Sequence, residues 1–282
     1  NPTLHNFMGL IDYLENVYIF CRNLYILVRY DKGTKSSFVE KDMRMRNMRT
    51  GRIPGWMAIA LILAALTGCS NSIMAGGQRE MAGLTILVDP GHGDTDPGTI
   101  GPQTGVHEKD INLQIALKLK AALEAEGVHV VMTRADDRPL GDPGEKDSSV
   151  RKEADMLARE AIIEETKASL LVSVHQNQFE DPDVKGPQVF YLKTPDGKSY
   201  GEAFANSLQD AINRELRVEN PRKTGAGNWR LLKKGNQPGC IVECGFLSNP
   251  QEELLLQEEG YQDQLVSAIT KGIQEYVGRY GA

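Results

Sequence analysis

Four residues carry chemistry at positions that packing alone does not account for: His92, Glu108, His175 and Glu243. His92 follows the apolar run 85–88 within Asp89-Pro90-Gly91-His92-Gly93, and His175 directly follows the run 170–174. Glu243 ends a third run, and Glu108 closes the Gly- and Pro-rich loop after the first. Two imidazoles and a carboxylate, with a fourth position left open, make a ligand set for catalytic zinc. A further carboxylate beside that open position can take a proton from water and pass it to a leaving amine. Each residue also has a plainer reading. A His at a strand end is commonly a hydrogen-bonded loop residue, and an acid such as Glu108 is favoured in the first turn of a helix by the helix dipole. Glu243 resists that treatment, because a carboxylate flanked by Val242 and Cys244 in an apolar strand is costly to bury. His107 stands beside Glu108 as an alternative ligand, while His129 lies inside a strand, where a structural role is expected. Taken alone, the loop that follows His92 suits phosphate as well as metal.

The elements that must position these residues alternate along the chain. Strands are expected at 85–88, 128–133, 170–174, 189–192 and 239–243, with a short strand at Leu231-Leu232. Helical spacing of apolar residues runs from Ile111 to Glu126, where Gly127 stops it, and recurs over 148–167, 200–216, 251–258 and 261–276. This order predicts a single α/β domain, a mostly parallel sheet of about six strands flanked by helices. All four candidate residues then fall at the carboxyl edge of the sheet, where open α/β sheets bind ligands.

A formal net charge of −6, with 25% charged and 6% aromatic residues, gives no basic excess or stacking platform for nucleic acid. Residues 1–42 show no clean period and read as an upstream extension of the reading frame. Residues 43–68 read as an export signal: a cationic start from Met43 to Arg52, an apolar stretch through Leu66, then Thr67-Gly68-Cys69. That apolar stretch is well short of the ~20 residues a spanning helix needs. Leu66-Thr67-Gly68-Cys69 resembles the bacterial lipobox, which implies a lipid on Cys69 and an exported, membrane-anchored protein facing the cell wall. Residues 69–83 have tether composition, and 84–282 form the catalytic domain. Cys240 and Cys244, four apart in a strand, have Cα atoms about 13 Å apart, too far for a disulfide. They read as buried thiols on one face, with a CxxxC metal pair as the alternative.

Asp89-Pro-Gly-His-Gly93, Glu108 before its helix, Ser173-Val-His-Gln-Asn177 and Val242-Glu-Cys-Gly-Phe-Leu-Ser-Asn249 together resemble the zinc-dependent N-acetylmuramoyl-L-alanine amidases of the Amidase_3 type. The resemblance spans about Leu84 to Tyr276. It implies one zinc ion held by His92, Glu108 and His175, with Glu243 as the catalytic carboxylate, and so settles the choice between His107 and Glu108. The implied reaction is hydrolysis of the amide between N-acetylmuramic acid and the L-alanine of the peptidoglycan stem peptide. Asn177 and Arg134 are expected to orient substrate or the ligands. Gln176 departs from the small or apolar residue the family usually has there, which implies an altered substrate preference.

Val130-Val-Met-Thr-Arg134, Arg151-Lys152 and the compact stretch from His175 to Gln188 are similar to the branch that matures spore cortex, where stem removal permits muramic-δ-lactam formation. The stretch after His175 has no room for the site-blocking helix of division amidases. Two rival readings share these residues: a tethered, non-catalytic peptidoglycan-binding protein, and a zinc peptidase of the stem peptide. A protein activator is a further expected partner.

Overall fold

The computed structural model describes residues 81–142 and 144–281. The expected extension, the export signal with Cys69 and most of the tether lie outside the described residues. Met81, at the end of that tether, is already fully buried in the core.

The chain runs β1 (Thr85–Pro90), α1 (Glu108–Ala125), β2 (His129–Met132), α2 (Ser148–Thr166), β3 (Leu170–Asn177), β4 (Gln188–Lys193), β5 (Ser199–Tyr200), α3 (Glu202–Glu215), β6 (Gly225–Gly227), β7 (Gly239–Phe246), α4 (Pro250–Leu255) and α5 (Glu259–Tyr280). The sheet order is β2-β1-β3-β7-β4-β5, with β6 beside β4. The neighbours β2, β1, β3 and β7 are parallel. β4 turns antiparallel to β7. This is the expected mostly parallel sheet, extended by two short strands. Leu231-Leu232 is not a strand: Leu231–Lys233 forms a 3-10 turn, in which two adjacent leucines pack without an alternating face.

Strand alternation divides the core. Ile86, Val88, Val172, Val174, Cys240, Val242 and Cys244 face α1, α3 and α5. Leu87, Leu171 and Ile241 face the other way, toward Ile163 of α2 and Leu232. Cys240 and Cys244 are unpaired, fully buried thiols within the first of these clusters. His129 departs from expectation: it opens β2 and is exposed.

The second face carries a polar device at its upper end. Asp89, fully buried on β1, accepts hydrogen bonds from Thr133 Oγ1 and Ser173 Oγ, each at 2.6 Å. Arg159 of α2 pairs with the same carboxylate at 2.5 Å. The remaining guanidinium N–H groups donate to Pro90 O, His92 O and Asp155. The loop being held needs this support, because His92 and Asp94 both adopt left-handed backbone, with φ of 60° and 50°, a region that non-glycine residues visit at a cost.

Burial alone would raise the Asp89 carboxyl, but Arg159, Ser173 and Thr133 outweigh it and hold it down at about 2. A carboxylate depressed in the folded state contributes stability above its unfolded pKa, so this contribution is complete above about pH 4 and is lost as pH falls toward 2. Arg159→Met strands the buried charge, and urea denaturation at neutral pH should show a loss of about 3–5 kcal/mol.

Candidate metal centre

Three parallel strands deliver their carboxyl ends side by side. In the register of β3 and β7, His175 lies directly beside Glu243, so both side chains leave the same face of the sheet. His92 follows β1 on the other flank of β3. Its ring lies 5.0 Å from that of His175, at 76°. Gly91 makes the approach possible: a Cβ there would sit 2.1 Å from His175 Cε1.

Glu108 is returned to this point by the loop. Gly93 and Asp96 close a turn through paired backbone bonds, and Glu108 N and Lys109 N donate to Thr99 O and Pro97 O. Gly98, at φ +66°, lets the loop pass over the carboxylate; a Cβ there would lie 2.5 Å from Glu108 Oε2. Farther out, the wholly buried Glu253 of α4 accepts from the backbone N–H of Gln103 and Thr104 and from Thr104 Oγ1. It thereby clamps the loop to the turn that follows β7.

Glu108 Oε1 comes to 3.2 Å from His92 Nε2 and 3.1 Å from His175 Nδ1. The three residues each offer one ligand atom, all within 4.8 Å of one another, and could hold a metal ion. Glu108 also accepts from Thr99 N at 2.9 Å, Gln176 N at 3.1 Å and Asn112 Nδ2 at 3.2 Å. Burial pushes its pKa up, but the bonds from His175 and His92 prevail and hold it well below the usual carboxylate range. His92 Nδ1 lies 2.8 Å from Asp96 Oδ2, and Lys152 pairs with the other oxygen of Asp96 at 2.8 Å. That arrangement assigns the proton to Nδ1 and leaves Nε2 free to ligate. Burial disfavours a charged His92 ring, but its partners Asp96 and Glu108 raise it to about 9.

Glu243 completes the row. Its Oε2 is buried with no hydrogen-bond partner, and burial raises the carboxyl to about 7. A buried oxygen without a donor, beside two nitrogens and a carboxylate oxygen that converge on one point, fits a cation with an oxygen ligand of its own. The residues present therefore fit the expected metal.

The other predicted residues stand apart from this point. His107 caps α1 without a side-chain bond and is not in the cluster. Arg134 is buried and donates to Pro90 O, Gly91 O and Lys109 O, so it braces the loop beneath the site. Asn177 Oδ1 accepts from the next backbone N–H, at an irregularity in the pairing of β3 with β7. Gln176 turns to the opposite face from His175, where it is buried and donates to Asn112 Oδ1 at 3.1 Å. Its departure from the family pattern thus lies behind Glu108, away from the open face. Asp96 and Asn112 were not anticipated. Asn112 lies one helical turn from Glu108, a spacing that was there to read, whereas Asp96 meets His92 across a loop turn, which spacing does not announce.

Comparison with known proteins follows this geometry. Residues 86–275 match the Amidase_3 family, described as N-acetylmuramoyl-L-alanine amidase. A germination-specific N-acetylmuramoyl-L-alanine amidase of Bacillus subtilis is 35% identical over 79% of this chain and 92% of its own length. Among solved structures, the CwlD amidase of Clostridioides difficile, determined in complex with the GerS lipoprotein, superposes with a TM-score of 0.66 at 36% identity, covering 70% of this chain and 99% of that one. An N-acetylmuramoyl-L-alanine amidase from Clostridium difficile 630 superposes at 0.60 with 32% identity, covering 71% and 100%. A three-layer α/β domain with this cluster at the carboxyl edge of its sheet is thus an amidohydrolase of the bacterial cell wall. The chain belongs to the N-acetylmuramoyl-L-alanine amidase family, and its activity is cleavage of the amide between muramic acid and L-alanine in peptidoglycan. A cell-wall substrate places that activity outside the cytoplasm.

With Asp96 fixing the His92 tautomer, Asp96→Ala should weaken metal binding about 10- to 100-fold in chelator competition, with the fold retained by circular dichroism.

Proposed function

We propose that this amidase is zinc-dependent, with His92 Nε2, Glu108 Oε1 and His175 Nδ1 as the three protein ligands and Glu243 as the general base and acid. The convergence of those three atoms within 4.8 Å carries the reading. Zinc in such a site lowers the pKa of water toward ~7 and polarises a carbonyl.

The chain's own residues supply the rest. Glu108, charged because of the two imidazoles, compensates the cation. Asp96 and Asn112 orient His92 and Glu108. Glu243 Oε2, with no competing donor, takes the proton of the attacking water and delivers it to the nitrogen of the departing alanine. Burial raises the proton affinity of this carboxyl, which favours its holding the proton between the two transfers. Glu243→Ala should lower release of peptides with a new amino-terminal alanine by about 10²- to 10⁴-fold, read by mass spectrometry of digested muropeptides, with zinc content retained. Full activity in that variant would discard the assignment. Free amino acids, with the stem still joined to glycan, would point to a peptidase.

We further propose the spore-cortex branch, supported by the germination-specific relative and the CwlD neighbour. The neighbour's complex with a lipoprotein supports a protein partner for this chain as well. Attachment to the outer membrane face through lipidated Cys69 rests on the lipobox pattern. Cys69→Ser should shift the protein from the membrane pellet to the soluble fraction on immunoblotting; continued sedimentation would reject the anchor.

A further inference from the structure

The site is not symmetric about its metal ligands, and the asymmetry bears on which half of the substrate lies where. Across the sheet the reacting groups form a row in strand order: His92 after β1, His175 on β3, Glu243 on β7. Gln188 of β4 pairs directly with Glu243 and continues the row on the same face.

On the His92 flank lies a groove of about 390 Å³ walled by His92, His175, Leu140, Met156, Arg151 and Leu231. Glu243 is not in its wall. Every cation of this groove is matched to a carboxylate. Arg151 pairs with Asp94, Lys152 with Asp96, Arg159 with Asp89, and Arg230 with Glu153. Asp142 and Asp155 add two further carboxylates to the wall, so the groove presents apolar surface and hydrogen-bonding groups with no unmatched cation and an excess of acids.

The opposite flank differs. Beyond Glu243, the Arg222 guanidinium lies 4.7 Å over the Phe246 ring, and its Nε donates to Lys185 O. Lys223 is exposed, and its carbonyl accepts from Gln188 Nε2. Among the described residues Lys185, Arg222 and Lys223 form no ion pair. Glu252 lies in range of Arg222 and Lys185 but is buried and held by the N–H groups of Gly186 and Phe246.

We infer that substrate crosses the sheet in one direction, with the uncharged N-acetylated glycan in the groove beside α2 and the carboxylate-bearing stem peptide over β4, facing Arg222 and Lys223. The inference rests on the proposed role of Glu243. The group that protonates the leaving amine must lie on the peptide side of the scissile carbonyl, and Glu243 is on the side away from the groove. Charge agrees independently. Muramic acid loses its only carboxylate charge on forming the amide, so an acid-rich groove does not repel it, whereas the stem keeps free carboxylates, which suit unpaired cations.

Separate probes for the two halves allow a direct test on the zinc-loaded protein by calorimetry, using an uncharged N-acetylglucosamine oligosaccharide for the glycan and free tetrapeptide for the stem. Met156→Trp or Leu140→Trp, which fill the groove, should raise the Kd for glycan at least about tenfold while changing that for tetrapeptide less than about threefold. Arg222→Glu should do the reverse, a tenfold change being about 1.4 kcal/mol. Using two groove variants covers a folding failure in either one. The opposite pairing, or losses shared equally by both probes, would overturn the orientation. If instead the wild-type protein releases no peptide with amino-terminal alanine, the zinc-amidase reading itself has failed, whatever the binding pattern.

Discussion

The buried pair between Asp89 and Arg159 is the interaction on which the site depends. Asp89 ends a core strand with its carboxylate wholly removed from water, a state tolerated only because a guanidinium and two hydroxyls meet it. Arg159 then spends its other donors on the carbonyls of Pro90 and His92. A charge buried in the sheet thus becomes the brace for a loop whose backbone is strained at His92. Removing the pair would cost stability, and it would also release the imidazole that the rest of the site is built to meet.

Around that brace the residues of the site arise from different kinds of constraint. His175 and Glu243 are set by strand register, which has little freedom once both faces of the sheet are packed. Glu108 arrives by a loop, and its place is fixed by Gly98, by hydrogen bonds from Thr99 and Gln176, and by the clamp from Glu253. The electrostatics follow from this closeness. The acid among the imidazoles is forced to ionise, while the acid one strand over, facing no donor, is pushed toward neutrality. Two glutamates in one cleft are thereby driven apart in acidity, one suited to holding a cation and the other to carrying a proton.

Much of this was legible in the sequence, for a physical reason. Parallel strands with helical crossovers must bring their carboxyl ends to one edge, so polar residues ending apolar runs could be gathered without coordinates. Glu243 stood out because its neighbours are apolar. Partners across space were not legible: nothing in the chain says that Arg159 turns under Asp89, or that Arg134 braces carbonyls. The two adjacent leucines at 231 and 232 gave apolar character without period, so a 3-10 turn passed for a strand. β5 and β6 are too short and too rich in Gly and Ser to announce themselves. The side of the strand on which Gln176 falls, by contrast, was available from alternation after His175.

The clamp by Glu253 has a consequence for how the protein comes to exist as an active enzyme. Its carboxylate grips backbone 150 residues earlier in the chain, and Glu243 must likewise join strands that were made long before it. Contacts of such sequence separation are closed late, because the chain between them must first give up its freedom. A chain emerging amino-terminus first therefore passes through a stage in which His92 and Glu108 exist but are not yet assembled. With Glu243 in its proposed role, a product truncated before β7 lacks the proton carrier and would not cut the wall.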